Sequence, residues 1–327
     1  MTMTASAAAP SQARPWVRFG ARRAGRLLVS LWVLVTASFA MIHLIPGDPV
    51  RGALGPTAPA ELVEARRAAL GLNDPILTQY LHYLKGLATG DLGTSLTTRL
   101  PVSDIVAQRL PATLALAGLA FLAAVVVAIP LGVAMGVATR RGHGRRTELA
   151  FTTGSIVVAT VPDFLIGVGL VYVFGVQLGW LPVAGNDTPQ AYVLPVLALA
   201  IGPAAILARI LRVEMVRVLE ADFVRTARAK RLPARTIYLG HALPNAATAA
   251  LTLGGLLLSA LVAGTVLVEN VFAWPGLGST IVRSILTKDY PVVQAIVLVY
   301  GVGVLVVNTV VDVALARLDP RSLIREA

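Results

Sequence analysis

Cysteine is absent from this chain of 327 residues, so disulfides, thiolate metal sites and cysteine nucleophiles are excluded. Charge is scarce: Asp, Glu, Lys and Arg make up 14% of the residues, and the acids number 17 against 28 bases. The four histidines, His43, His82, His143 and His241, stand at no ligand spacing, so no metal site is expected. No Gly-x-x-x-x-Gly-Lys-Ser/Thr phosphate loop occurs, and Arg141-Gly142-His143-Gly144-Arg145 reads as a tight turn. The chain is therefore expected to bind no cofactor and to hydrolyse no ATP by itself. What fills it instead is apolar sequence: 56% hydrophobic residues and a mean hydropathy of +0.75. Those values lie outside ordinary soluble domains and point to an all-α, polytopic membrane protein. A net charge of +11 would suit a nucleic-acid binder only in a far less apolar chain. Nucleic acid is thus excluded as a partner, and the charge reads as a topology signal in a lipid bilayer.

Six stretches are long enough for a hydrocarbon core of roughly 30 Å. They are Leu27–Ile45, Ala112–Ala138, Leu149–Leu178, Ala191–Ala208, Ala247–Val268 and Val292–Ala316. The first is longer than a signal-peptide core and no small-residue cleavage site follows it, so an uncleaved span is expected. The organisation is then a basic tail over 1–26, a first span over 27–45 and a large loop over 46–111. A five-helix core over 112–316 follows, with a basic loop over 209–246, and the chain ends in a tail over 317–327. The two tails, the 140–146 turn and the Arg209–Pro244 segment hold 20 of the 28 basic residues. By the positive-inside rule these face the cytoplasm, with both termini, and the 46–111 and 269–291 segments face outward.

The large outer loop is patterned for helices. Asn73-Asp74-Pro75 predicts an N-cap with Pro at the first helical position, ahead of Ile76–Leu87 at helical spacing; Ala60–Leu70 and Val102–Leu110 are weaker candidates. Such a cap serves either as a docking surface or as a purely structural lid. The basic segment contains Ala221-Asp222-Phe223-Val224-Arg225-Thr226-Ala227-Arg228-Ala229-Lys230-Arg231. Asp222 near the start and cations near the end suit the dipole of a short helix over Asp222–Lys230. That helix is either a surface offered to a cytoplasmic partner or a solvated loop near anionic headgroups.

Within the spans, Asp163 follows Pro162 near the middle of the third stretch. A carboxylate there either lines a water-filled path or bonds to a neighbouring helix and to backbone freed by the proline. Glu269 closes the fifth span, and Trp274 in Trp274-Pro275-Gly276-Leu277-Gly278 reads as an interfacial aromatic anchor. Asn308 and Asp312 lie one turn apart on the last span, on one face suited to interhelical hydrogen bonds.

The order of local motifs resembles the inner-membrane permease subunit of ATP-binding-cassette importers, in the dipeptide/oligopeptide/nickel class. The resemblance rests on Pro46-Gly47-Asp48-Pro49, Gly90-Asp91-Leu92-Gly93-Thr94-Ser95-Leu96, Arg109-Leu110-Pro111-Ala112-Thr113 and Leu178-Gly179-Trp180-Leu181-Pro182. It continues through Phe272-Ala273-Trp274-Pro275-Gly276-Leu277-Gly278, Asp289-Tyr290-Pro291 and Leu318-Asp319-Pro320-Arg321. The family's cytoplasmic signature of Glu-Ala-Ala, a later Gly and Ile-x-Leu-Pro falls on Arg225-Thr226-Ala227, Arg231 and His241-Ala242-Leu243-Pro244. Arg-Thr-Ala is usual in the peptide class, whereas Arg231 in place of Gly is a departure. An arginine there is expected to prolong the helix, with Leu232-Pro233 making the bend. Asp163, where a small hydroxyl residue is usual, is a second departure.

The resemblance implies a type I importer permease fold with six transmembrane helices in the bacterial cytoplasmic (inner) membrane. It implies a second permease as a heterodimeric partner, two cytoplasmic ATPase subunits that hold ATP and Mg, and an extracytoplasmic solute-binding protein delivering peptides or similar solutes. It assigns ATPase coupling to the loop containing Asp222, Arg225, Thr226, Ala227, Arg228, Ala229, Lys230, Arg231, Leu243 and Pro244. Asp163, Glu269 and Trp274 are its candidates for the substrate path. The rival readings are a secondary transporter driven through Asp163, Glu269 or Asp312, which the lack of a visible internal repeat argues against, and a membrane scaffold.

Overall fold

The computed structural model describes residues 13–44, 48–55, 57–69, 71–140 and 144–318. Pro46-Gly47, Arg141-Gly142-His143, Asp319-Pro320-Arg321 and the distal parts of both basic tails lie outside them. Among the described residues the chain is helical throughout, with one isolated β-bridge between Thr94 and Pro101. Helix α1 (Ala13–Leu44) leads to three short helices, α2 (Pro49–Leu54), α3 (Ala60–Ala69) and α4 (Ile76–Thr89). Then come α5 (Val102–Ala138), α6 (Arg145–Thr160), α7 (Asp163–Leu170), α8 (Val193–Leu219), α9 (Asp222–Ala229), α10 (Leu243–Val271), α11 (Leu277–Leu286) and α12 (Tyr290–Leu318). Among the described residues five helices are long and apolar enough to cross a membrane, and a sixth span is formed if α6 and the helix after it are one crossing.

Several boundaries differ from the sequence expectation. Val102–Leu110 is not a separate helix but the first turns of α5, which runs on through Pro111 and Pro130. Pro111 is a fair start for an apolar run, but the helix upstream of it continues through it, although Pro111 brings no N–H to the carbonyl four residues back. Pro75 stands just outside α4 as its cap residue, in extended conformation, and Gly90 closes that helix in the left-handed region. The basic 209–246 segment is mostly helix: α8 persists past the apolar run to Leu219, because Arg209, Arg212 and Arg217 are good helix formers. From Thr236 the chain is helical again, in a π-turn that runs directly into α10.

The core is built on α5 and α8. Along α5 a small residue recurs every fourth position, Ala120, Ala124, Ala128, Gly132 and Gly136, and all five are buried. Those positions form one stripe of the helix surface, which lets two backbones approach closely. A Cβ on Gly132 would sit 2.8 Å from the Leu211 Cβ, and one on Gly136 would sit 2.6 Å from the Met215 Cβ. Asn308 and Asp312 act between helices: Ser259 donates to Asn308 Oδ1 at 2.9 Å, and Arg23 of α1 forms an ion pair with Asp312. At the far end α4 packs on α1, with Phe39 edge-on to Tyr80 at 5.1 Å and Thr36 hydrogen-bonded to the Tyr80 hydroxyl.

Candidate coupling surface and pathway residues

Helix α9 has one buried side. Val224 and Ala227 pack into a cluster with Leu211, Met215, Leu219, Ile237 and Ala242. Asp222, Phe223, Arg225, Thr226, Ala229 and Lys230 are exposed. Arg225 reaches back one turn to Asp222 at 3.1 Å, a surface pair that organises the exposed side and adds little stability. A helix of 8 residues is too short to persist alone; it is the apolar base that holds it.

The end of α9 overturns the expected role of Arg231. Lys230 is the C-cap, and Arg231 takes a left-handed conformation with φ of 57°. The Leu232 amide donates to the Ala227 carbonyl at 3.3 Å, and the Arg231 amide to the Arg228 carbonyl at 2.9 Å. Those two bonds are the paired closure of a Schellman motif. The bend therefore sits at Arg231 itself, and Leu232-Pro233 follows it rather than making it. Leu243 and Pro244 lie where the π-turn passes into α10, so they belong to the helix that leaves this base.

Arg228 differs from Arg225. Its guanidinium donates to the Leu219 carbonyl at 3.3 Å, satisfying the C-terminal end of α8. Three contacts absent from any sequence motif brace the same base. Arg140 donates to the Tyr238 hydroxyl at 2.6 Å, and Arg212 bonds Thr139 at 2.9 Å and Glu148 at 2.8 Å. They join the ends of α5, α6 and α8 to the π-turn beside α9. No local sequence signal points to them, since each joins residues at least 60 positions apart.

Asp163 does not sit within a continuous span. Helices α6 and α7 meet at Val161-Pro162 with a bend of 91°. Pro162 lacks the N–H that would continue α6 and disfavours the α conformation before it; Val161 is extended. Asp163 begins α7, where an acidic side chain also suits the helix dipole. It is half-buried, faces Gly202 of α8, and has no hydrogen-bond or ion-pair partner among the described residues.

Glu269 and Trp274 are buried rather than surface groups. Thr113 donates to Glu269 Oε1 at 2.7 Å, and the Ser279 amide donates to Oε2 at 3.1 Å. The carboxylate lies against Gly276 and Gly278, where any Cβ would collide with it. The Leu277 amide donates to the same Thr113 hydroxyl at 2.8 Å. Ala273, in a left-handed conformation, turns the chain so that Trp274 drops into the core. Its indole N–H donates to the Ala112 carbonyl at 3.1 Å, and its ring meets Tyr192 edge-on at 4.6 Å. An interfacial anchor would show its ring to lipid; Trp274 is 0% exposed, so that expectation is corrected.

Two family matches decide the class. Residues 128–323 match the binding-protein-dependent transport system inner membrane component, and residues 16–117 match the N-terminal part of such membrane components. The chain belongs to this permease family. It is 38% identical over 294 residues to the glutathione transport system permease protein GsiC of Escherichia coli O6:H1, covering 90% of this chain and 95% of that protein. The proteins of the same name from Shigella flexneri serotype 5b and Salmonella choleraesuis match equally over the same length. A crystal structure of an amino acid ABC transporter with histidines aligns at a TM-score of 0.47 and 20% identity, over 66% of this chain and 94% of that one.

The permease is thus a multi-pass, inner-membrane component of a binding-protein-dependent ABC importer, and the carrier and scaffold readings give way to that family. Its motifs, separated along the chain, meet in space. The Gly90–Leu96 motif folds against Asp289, whose carboxylate takes the Ser95 hydroxyl, the Leu96 amide at 2.9 Å and the Thr97 amide at 3.3 Å. The Arg109–Thr113 motif closes on the Phe272–Gly278 motif through Thr113 and Ala112. The coupling-loop candidates gather at the opposite end, next to Arg140 and Tyr238. Asp163 stands apart from Glu269 and Trp274 in its contacts, so the three path candidates do not form one cluster.

Proposed function

We propose that this chain is one of two permeases enclosing a substrate path, and that α9 is the element through which cytoplasmic ATPases move it. The observation that carries the reading is a short helix bolted to the α5–α8 base by one apolar side, with a charged opposite side left for a partner. An ATPase groove that grips Asp222, Phe223 and Arg225 would pass its motion to that base as a rigid body. ATP and Mg belong to those ATPases, and this chain performs no catalysis of its own. The basic end of the bundle faces the cytoplasm in this reading. The end carrying Trp274 faces outward and receives solute from a binding protein. Peptides are the proposed cargo class, supported by the relatives named for glutathione transport. Asp163, at a helix break and with no partner among the described residues, is proposed to line the path.

The test uses the importer complex reconstituted with its binding protein, comparing Arg225→Glu with the unaltered chain. Assembly should be normal while ATP-driven uptake falls at least tenfold, since breaking one side of a desolvated interfacial charge pair commonly costs about 2–5 kcal/mol. Arg225 is the right position because its partner Asp222 is a surface group, whereas Arg228 also holds α8 in place. Unaltered uptake with normal assembly would remove the coupling assignment from this side of α9.

A further inference from the structure

A cavity of about 590 Å³ lies at the Trp274 end between the 95–109 segment and α11. Its polar lining is unevenly committed. Ser279 donates to the Trp274 carbonyl at 2.6 Å, Thr280 to the Gly276 carbonyl at 2.7 Å and Thr287 to the Arg283 carbonyl at 3.0 Å. The Asn270 amide donates to the Val266 carbonyl at 2.7 Å. These groups have spent their hydrogens on backbone. Asp289, the one acid among the described lining residues, is 3% exposed and is held by Ser95, Leu96 and Thr97.

Arg109 and Arg283 are the cations among the described lining residues. Both line the cavity, one from the early turns of α5 and the other from α11. Among the described residues neither guanidinium makes an ion pair or a hydrogen bond. Arg283 shares a helix face with Thr280 and Thr287, three and four residues away, which also line the cavity. The half-buried Arg109 and the exposed Arg283 are thus two uncompensated cations with free N–H donors at the wall of a concave site. Low-dielectric walls focus such a field, and a guanidinium matches a carboxylate in shape as well as charge. An ammonium entering the same space would meet no free carboxylate.

We propose that this cavity is an anion-selecting vestibule that receives small solutes bearing carboxylates, such as acidic peptides, through Arg109 and Arg283. This rests on the permease reading, with the Trp274 end facing outward. Arginine at both positions then biases entry towards solutes with more carboxylates than amines.

The test is binding of acetyl-Glu-Glu, acetyl-Ala-Ala-amide and Lys-Lys-amide to the purified importer complex in nanodiscs, without binding protein, by calorimetry. Acetyl-Glu-Glu should bind at least tenfold more tightly than the other two, and less so as salt is raised. Arg109→Gln and Arg283→Gln should each weaken it about tenfold, the usual scale of one charge-assisted hydrogen-bonded contact, while Arg283→Lys should retain part of the binding. Equal binding of the neutral and acidic peptides, or an unaltered affinity in the double Gln variant, would overturn the proposal. Should the variants fail to assemble, phenylglyoxal modification of the unaltered complex decides. Acetyl-Glu-Glu must protect Arg109 and Arg283 in peptide maps, and modification unaffected by it also overturns the proposal. Uptake separates the two readings. Acidic-peptide binding without ATP-driven uptake of any peptide by the complete importer would sink the permease reading and leave the vestibule standing. Uptake without such binding would do the reverse.

Discussion

Arg231 occupies a backbone position that glycine normally fills, and it does so at a cost. A left-handed conformation costs an L-residue roughly 1–2 kcal/mol, whereas glycine adopts it freely but loses about 0.5–1 kcal/mol more in chain entropy. The difference predicts that Arg231→Gly stabilises the permease by about 1 kcal/mol, since the Schellman closure needs only the backbone. A raised midpoint of thermal unfolding for the purified chain in detergent is the expected result. A lowered midpoint would mean that the arginine side chain contributes more than its conformation costs. Glu269 shows the opposite logic at the same scale. A buried carboxylate survives because Thr113 and the Ser279 amide satisfy it, and Gly276 and Gly278 leave it room.

Helices in this chain are shaped by their neighbours more than by their own apolar runs. The α5 stripe of alanine and glycine accepts Leu211 and Met215 at backbone distance, which makes the α5–α8 pair the frame of the bundle. The third span is interrupted at Pro162, and Asp163 is placed at the new helix start with no side-chain partner among the described residues. If that carboxylate lines the path, Asp163→Asn should lower uptake of lysine-containing peptides relative to neutral ones at least threefold, with assembly unaltered. The comparison is made in the reconstituted importer. A fall in assembly with the uptake ratio unaltered would instead assign Asp163 to packing beside Gly202.

At the scale of the whole molecule, orientation rests on charge placement, and the absence of cysteine makes it simple to measure. Single cysteines at Lys85, Arg146, Asp187 and Lys230 are to be labelled in intact spheroplasts with a membrane-impermeant maleimide. Positions 85 and 187 should react, while 146 and 230 should react only after permeabilisation. The pair 146 and 187 also decides the bent segment: opposite sides make α6 and the helices after Pro162 one crossing, and the same side makes them a re-entrant hairpin. Labelling at 230 without labelling at 85 would invert the topology.

Much of this architecture was legible in the linear chain. Long apolar runs mark their own spans because a helix satisfies every backbone group within one such run inside lipid, and Lys/Arg counts require no knowledge of contacts. The local motifs likewise sit at span boundaries, and their order alone pointed to the family. Helix α9 was readable to within one residue, Asp222–Lys230 expected against Asp222–Ala229 observed, because capping charges and helix formers act locally. What periodicity could not reach was every relation between segments far apart in sequence. Nothing near Ser95 announces Asp289, nothing near Thr113 announces Glu269, and the tie of Arg228 to Leu219 is invisible without the fold. The same limit misplaced Trp274. An aromatic beside a Pro-Gly turn looks interfacial in one dimension, and only the closure of α5 against α10 and α11 shows that its ring is enclosed. Arg231 failed for a different reason. Helix propensity favours arginine continuing a helix, but the 1 kcal/mol scale of propensity yields to the packing of Val224, Ala227 and Leu232, which requires the chain to turn there. Hydropathy and charge, being sums over neighbouring residues, determined the spans and the class. Burial, partner and bend depend on which surfaces meet, and tertiary structure alone decided those.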